Sequence, residues 1–475
     1  MESLQRVANR GSVSTGPYQI DNSYKNEADN TERMYRPWGA GGGNSQTFTV
    51  SLWVKRTELD TQQYIWGAGT GGTNFFLVSF ESDNTMRVRS HVSSSDQAVY
   101  ITNRLFRDTS AWYHIVTAVD TTNGTAGDRL RIYINGVEET SFSTETNFSQ
   151  NDSTMHNANS SYMEIGTVIG EANRFCGYIS EVISISGSQL APTTFGEFDS
   201  DTGIWIPIEY TGSFPQNSVF LEFKDSSSLG TDTSGNGQTF TLQNITAADQ
   251  ATDTPTNNFA IINRLFKYPS SQVINEGATK VARSSGSGLN KTFISTIAVT
   301  AGKWYAEFKP TAGGSNYVVG IMPIDTASTV DLDSNHLGNG DYAGSLGYYS
   351  AGGSMLAAGN SANGSFGNSY TGDDIIGVAL DMDNRKVYFS KNGTYQNSQD
   401  PTNGTNAITL TDTSDGYHIG FTYDTSGTVE CNFGGYHVNT LSSAAADENG
   451  FGSFEYAPPT GYLALSTQNL GSDGG

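Results

Sequence analysis

The feature that most constrains this chain is its rhythm. Short runs rich in Val, Ile, Tyr, Phe and Thr alternate in polarity, are cut by Gly and Asn, and leave almost no helical periodicity. Alternation puts successive side chains on opposite faces of a strand, so the chain reads as all-β and built of sandwiches. In residues 48–54 (FTVSLWV), Phe48, Val50, Leu52 and Val54 share one face and Thr49, Ser51 and Trp53 the other. Residues 74–80, 85–91 and 112–119 repeat the pattern. Residues 130–139 (LRIYINGVEE) and 386–395 (KVYFSKNGTY) each hold an Asn-Gly pair between two such runs, Asn135-Gly136 and Asn392-Gly393. Asn-Gly tolerates the positive φ angles of a type I′ turn, whose twist matches paired strands. One hairpin of this kind in each half predicts two related sandwiches. Short helices are expected only near 192–198 and 442–447.

Composition narrows the function classes. Across 475 residues, 48 Asp and Glu outweigh 25 Lys and Arg, a net charge of −23, which leaves no basic stripe to neutralise phosphates and excludes a nucleic-acid binder. No window approaches the ~18 apolar residues that span a bilayer. Residues 1–16 lack the apolar core of a secretory signal. Cys176 and Cys431 are too far apart in sequence to suggest a disulfide framework, and each is expected to be a buried free thiol.

Periodicity lapses at 247–258 (AADQATDTPTNN), which reads as a linker, and again after Gly435. Three strand-like pieces between 203 and 245 fit either sandwich. The Gly-rich end, 471–475, is expected to be mobile.

At these residues the chain resembles known families. FTVSLWVKRT (48–57), WYHIVTAVD with LRIYINGVEE (112–139) and GYISEVISISGSQL (177–190) are similar to a laminin-G-like, concanavalin A-like sandwich. GKWYAEFKP (302–310), GDDIIGVALDMDNRKVYFSKNG (372–393) and YHIGFTYDTSGTVECNFG (417–434) resemble a SPRY (B30.2-like) domain, which shares that sandwich. The resemblance implies two concanavalin A-like jelly-roll β-sandwiches in tandem. The first spans 20–200 after an N-terminal arm at 1–19, the second spans 255–435, a connecting segment runs over 201–254, and a C-terminal extension over 436–475. IWIPIEYTG, DSSSLGTDTSGNG, ITAADQATDTPTNNF and the tail FEYAPPTGYLALSTQNL resemble segments of structural proteins of marine bacteriophages, tail-fibre-like or virion-surface. That likeness implies a virion-surface location on tail or capsid exterior and synthesis in the host cytoplasm without a signal peptide. It also implies other virion proteins and a host-surface glycan or protein as partners, attachment through the arm, and a homo-oligomer in the manner of trimeric fibres. Neither nucleic acid nor membrane insertion is expected.

The enzymatic alternative is a polysaccharide-degrading virion enzyme, which needs two carboxylates flanking a cleft. The nearest pattern, Glu197-Phe198-Asp199 followed by Ser200-Asp201-Thr202, ends in Thr where a third carboxylate would stand and lies between Gly196 and Gly203, so a turn is expected. No catalytic residue is assigned. Asp331-Leu332-Asp333-Ser334-Asn335 offers oxygens at alternate positions, but His336 and Tyr342 occupy the Gly and Glu places of a Ca²⁺ loop. The run reads as an Asx-rich turn, with Ca²⁺ at Asp331 and Asp333 as the metal alternative, and no cofactor is expected. The six His and two Cys show no zinc spacing, and His114, among apolar neighbours, reads as a core histidine.

Binding remains. Sandwiches carry specificity in their loops. Residues 341–370 are rich in Gly, Ser and Asn and hold Tyr342, Tyr348, Tyr349, Phe366 and Tyr370, the candidate ligand-binding residues. Aromatic faces beside amides suit sugar rings, with their C–H faces and hydroxyl edges. The competing reading places Tyr348 and Tyr349 on a core strand. A purely architectural decoration role on capsid or tail is the remaining alternative.

Overall fold

The computed structural model describes residues 18–473, apart from 29–30, 39–42, 169–172, 266–271, 284–290, 312–315, 333–334, 359–363, 424–426 and 439. Expectations for 1–17 and 474–475 lie outside the described residues. The chain divides into two compact units, one ending at Asn257 and the other beginning at Asn258.

In the first unit the alternating runs become two facing antiparallel sheets. One follows the order Val137–Glu138, Leu130–Ile134, Tyr113–Asp120, Thr47–Arg56, Gly177–Ser186, Ser23–Asn26, Gln250–Ala251, with Val219–Leu221 also paired to Gly177–Ser186. The other runs Phe142–Thr146, Ser95–Thr102, Met86–Val92, Asn74–Phe80, Gln63–Gly71, Tyr162–Ile165, Arg33–Pro37, Thr241–Gln243. Phe48, Val50, Leu52 and Val54 do share the inward face, packed with Phe76, Val78 and Ile165 of the opposite sheet. The four strands of the 201–254 segment, at Trp205–Pro207, Val219–Leu221, Thr241–Gln243 and Gln250–Ala251, all pair with strands of this unit, so that segment belongs to the first sandwich.

The outward face departs from a solvated one. Thr49, Ser51 and Trp53 are all buried, because the chain after Ser186 folds back over them. Thr49 Oγ1 donates to the Ser188 carbonyl (2.8 Å) and accepts from Leu190 N–H (2.8 Å). Phe195, Leu190, Tyr210 and Phe214 pack on Val116, Ala118, Ile183 and Ile185 as a second small core. Trp205 lies against the Asn135-Gly136 turn, where both residues have positive φ (48° and 77°). A Cβ on Gly136 would sit 2.2 Å from the Trp205 ring, so glycine there serves both the turn and the packing. The Asn392-Gly393 turn of the second unit repeats the device, with Tyr456 2.6 Å from such a Cβ on Gly393.

The 247–258 stretch is not a solvated linker. Ala247–Asp249 forms a 3₁₀ turn with a Thr246–Asp249 capping box, and Asp249, Asp253, Thr254 and Thr256 are buried. Asp249 pairs with Lys25 (2.9 Å) and Asp253 with Lys55 (2.6 Å), both lysines being fully buried. Polar composition signalled a loop; the buried lysines opposite give those carboxylates a place inside.

One buried acid makes a pH prediction. Glu181 sits in a bulge of Gly177–Ser186 with φ 49°, and Tyr18 donates to its Oε1 (2.8 Å). Burial raises its pKa to about 8, with the Tyr18 hydrogen bond opposing and Glu222 adding to the rise. The folded state therefore holds a proton that the unfolded chain releases near the ordinary value of ~4.3. Its contribution is fully present below that value and is lost as pH rises to about 8, at roughly 1.4 kcal/mol per pH unit. Glu181→Gln keeps an acceptor for Tyr18 and is expected to flatten this slope; urea midpoints across that window with the same slope in both proteins would refute it.

The second unit is also two antiparallel sheets. Lys291–Val299, Tyr417–Tyr423, Tyr317–Pro323, Leu346–Tyr349, Ser354–Ala357 and Gly364–Ser365 form one, in that order. The other places Gln272–Asn275, Lys280–Arg283, Gly427–Asn432, Lys303–Thr311, Ile376–Asp381, Lys386–Lys391 and Thr394–Tyr395 side by side. The extension beyond residue 435 joins this second sheet, where Leu463–Ala464 pairs in parallel with Trp304 and Tyr305. Among the described residues, helix is confined to short pieces. The 192–198 expectation is met by a 3₁₀ turn at Pro192–Thr194, 442–447 is not helical, and Ile324–Ala327 and Thr467–Asp473 are helices that periodicity missed. Among the described residues no helix is long and apolar enough to cross a membrane.

Candidate ligand-binding surface

Three of the five aromatics singled out between 341 and 370 lie inside the second sandwich. Tyr342, Tyr348 and Tyr370 are at most 2% exposed. Their rings therefore present no face to a ligand, which corrects their assignment as contact residues. Tyr348 follows the strand alternation inward, opposite Val319, as the competing reading held. Their hydroxyls do positioning work instead. Tyr342 donates to the Asp331 carbonyl (2.6 Å) and accepts from Asn335 N–H (3.1 Å). Tyr370 donates to the carbonyls of Tyr348 (2.7 Å) and Tyr317 (3.0 Å), and Tyr348 donates to that of Asn368. Burial pushes the Tyr348 phenol up to about 12, so it stays a donor at any physiological pH.

The other two aromatics reach the surface. Tyr349 is half-buried and its hydroxyl donates to Asn316 Oδ1 (2.7 Å). Phe366 is half-buried too, edge-on to Tyr348 (5.3 Å) and Phe389 (6.1 Å). Exposed Asn368 and Ser369 follow Phe366, with the Asn368 N–H held by Gln396 Oε1 (2.9 Å) and the Ser369 carbonyl by Lys391 Nζ (2.8 Å). The loop 366–370 is thus fastened from beneath at three points, a rigid mount for a half-exposed ring beside free amide edges. Sequence alone could not separate pins from contacts, because a tyrosine in a Gly-rich loop looks the same in either role.

A second feature lies where the extension crosses the other sheet. A cleft of about 220 Å³ is lined by Glu307, Asp373, Glu430, His437 and Glu455, among others. Glu307 at its floor is almost fully buried and accepts four hydrogen bonds, from Glu455 N–H (2.9 Å), Tyr456 N–H (2.8 Å), the Tyr305 hydroxyl (3.1 Å) and Asn432 Nδ2 (3.4 Å). Burial raises its pKa to about 7, against the backbone hydrogen bonds. A carboxyl that receives four donors, two of them main-chain N–H groups of the extension, orients that main chain. No motif pointed to this cleft, since it needs the extension folded over the sheet.

The remaining assignments resolve locally. Glu197 is exposed in the Gly196–Phe198 strand, and Asp199 caps the tip of the hairpin with Trp205–Pro207, accepting from Thr202 N–H (2.7 Å) and its hydroxyl (2.8 Å). That is the expected turn. His114 is buried, as expected: Trp205 Nε1 donates to its Nδ1 (2.9 Å), which leaves Nε2 as a donor to Ser51 Oγ (2.8 Å) and fixes the tautomer. A histidine donating to serine cannot serve as its base. Burial lowers the His114 pKa to about 3. At the calcium alternative, Asp333 lies outside the described residues, and the Asn335 amide donates to Asp341 (2.8 Å). Among the described residues no three His, Cys, Asp or Glu side chains gather as a metal site. Cys176 and Cys431 are buried free thiols.

With these sheets and loops in view, the domains can be classed: lectin-like sandwiches of the concanavalin A type. Residues 37–187 match the laminin-G family model described as the concanavalin A-like lectin/glucanases superfamily, and residues 303–426 match the SPRY domain. The chain therefore carries a concanavalin A-like laminin-G domain and a SPRY domain in tandem. Parts of several solved structures are similar to the chain at low identity. The SPRY domain of human HERC1 is 19% identical, over 34% of this chain and 92% of that one, with a TM-score of 0.26. A putative carbohydrate binding protein from Bacteroides ovatus is 15% identical, over 48% and 60%, with a TM-score of 0.34. Domains LG4-5 of the mouse laminin alpha1 chain are 9% identical, over 94% and 97%, with a TM-score of 0.29. No curated protein matches the chain.

Proposed function

We propose that this chain is a non-enzymatic protein of a bacteriophage virion, a tail fibre or capsid-surface appendage that presents a surface for host glycan or protein. The binding half of the reading is carried by the tandem match to a lectin-type and a SPRY domain. The virion half rests on the resemblance of the 204–212, 225–237 and 245–259 segments and the tail to phage structural proteins. Its partners are other virion proteins on one side and host surface on the other, and it works as a homo-oligomer. The contact surface has two parts, Phe366 with the amides of Asn368 and neighbouring loop residues, and Tyr349 on the opposite face of the Leu346–Tyr349 strand; Tyr342, Tyr348 and Tyr370 hold these loops in shape.

A panel of host surface polysaccharides, measured against the full chain and against adsorption of whole particles, tests this. Phe366→Ala and Tyr349→Ala are each expected to weaken binding about fivefold to tenfold, the loss of one ring contact of about 1 kcal/mol. Tyr348→Phe removes a pin and leaves the exposed rings in place, so its effect should be smaller. Unchanged adsorption in the Phe366/Tyr349 double variant would remove the proposed surface. Release of reducing sugar from any polysaccharide of the panel would remove the non-enzymatic reading.

A further inference from the structure

The interior of the first sandwich contains an arrangement that neither the lectin-like fold nor the proposed surface uses. Arg36 lies on Arg33–Pro37, in register with Met163, and points inward with the core residues of its sheet. It is 2% exposed, yet its Nη1 and Nη2 have no hydrogen-bond partner. Its guanidinium stacks 4.1 Å from the centre of the Trp38 ring. Trp38 meets His156 edge-on at 5.1 Å, and Trp66 does so at 5.9 Å, while Phe48 stacks on the same imidazole at 4.0 Å. The indole N–H groups of Trp38 and Trp66 and the Nδ1 of His156 are also without partners, and all three residues are buried. His156 Nε2 is already engaged by Ser184 Oγ (3.1 Å).

Buried polar groups in folded proteins are satisfied by protein, water or an ion, and a buried charge needs a counter-charge. Four unmade bonds here belong to obligate donors, two from the guanidinium and one from each indole. Asp232 acts on Arg36 through space, but its carboxylate is taken up by the N–H groups of Phe220, Ser234 and Gln238. Burial lowers the Arg36 pKa only to about 10, so it stays charged at neutral pH, and it lowers that of His156 to about 3, with Arg36 adding to the fall. The cluster therefore carries one positive charge, an excess of donors and aromatic walls.

We propose that a small monovalent inorganic anion of the halide class binds inside the first sandwich, held by Arg36 and by the indole N–H groups of Trp38 and Trp66 beside His156. A neutral water would accept two of these bonds and leave the charge uncompensated. A single small anion answers both needs. This site is independent of the host-binding reading, since it lies in the other sandwich from Tyr349 and Phe366.

Urea unfolding of the full chain, followed by tryptophan fluorescence at fixed ionic strength, gives the test. Chloride replaces gluconate, which is too large to enter. Above the dissociation constant, a tenfold rise in chloride is expected to raise the folded-to-unfolded ratio close to tenfold. Arg36→Met should abolish that dependence. Should Arg36→Met fail to fold, crystals of the unaltered chain grown in bromide provide the second measurement, with an anomalous peak expected at the guanidinium. Chloride-independent unfolding of the unaltered chain, an equal chloride response in Arg36→Met, or density showing only water around Arg36 would each overturn the proposal.

Discussion

Asp253→Ala destabilises the first sandwich by about 3–5 kcal/mol, the usual cost of stranding one partner of a buried ion pair. Lys55 is fully buried, and Asp253 Oδ2 lies 2.6 Å from its ammonium. The other oxygen, Oδ1, accepts from Trp112 Nε1 (3.1 Å), so truncation orphans an indole N–H as well as a charge. Burial already depresses the Lys55 pKa, with Asp253 and then Asp108 opposing, and removing the Asp253 carboxylate leaves only the weaker Asp108 against burial. Five of the six tryptophans, Trp38, Trp53, Trp66, Trp112 and Trp205, belong to this unit, so denaturant unfolding read by tryptophan fluorescence follows it. The double variant Lys55→Met/Asp253→Leu should recover the part of the loss that comes from the stranded charge, because an apolar pair of similar volume needs no counter-charge, while the Trp112 N–H stays without its acceptor. A double variant as unstable as Asp253→Ala would show that the segment is held by something other than charge.

That segment also marks where sequence reasoning stops. Strand alternation and the two Asn-Gly turns were legible because both are local: the faces of 48–54 and the positive φ at Asn135 and Asn392 follow from residues adjacent in the chain. Whether an outward face meets water depends on segments far along it. Alternation puts Thr49, Ser51 and Trp53 on the second face but does not show that 188–210 folds over them, and 247–258 read as a linker until buried lysines supply partners for its carboxylates. The same limit governs the candidate surface. Aromatics gathered in a Gly-rich stretch were found, but the division into pins (Tyr342, Tyr348, Tyr370) and half-exposed rings (Tyr349, Phe366) is set by strand register and by carbonyls of other loops.

Glu307 extends this logic to the second sandwich and carries a comparably large expected effect. On Lys303–Thr311 it takes the outward position between Tyr305 and Lys309, where an acid ordinarily faces water. Here the extension covers it, and its two oxygens receive the main-chain N–H groups of Glu455 and Tyr456. Glu307→Ala leaves those donors without an acceptor, at about 1–3 kcal/mol each, and withdraws the bond from Asn432 as well. The consequence is local: the extension should loosen while the two sheets stay folded. Hydrogen exchange at 442–456 is expected to accelerate by about two orders of magnitude, equivalent to about 3 kcal/mol of local opening, with little change in the Tyr317–Pro323 strand. Glu307→Gln is not a neutral control, since its amide nitrogen turns a donor toward one of the same N–H groups, and it should show an intermediate acceleration. Uniform acceleration across both sheets would instead make Glu307 a determinant of the whole sandwich, and unchanged exchange at 442–456 would mean that the extension is fastened by Tyr456 on the Gly393 turn and by the Leu463–Ala464 pairing alone.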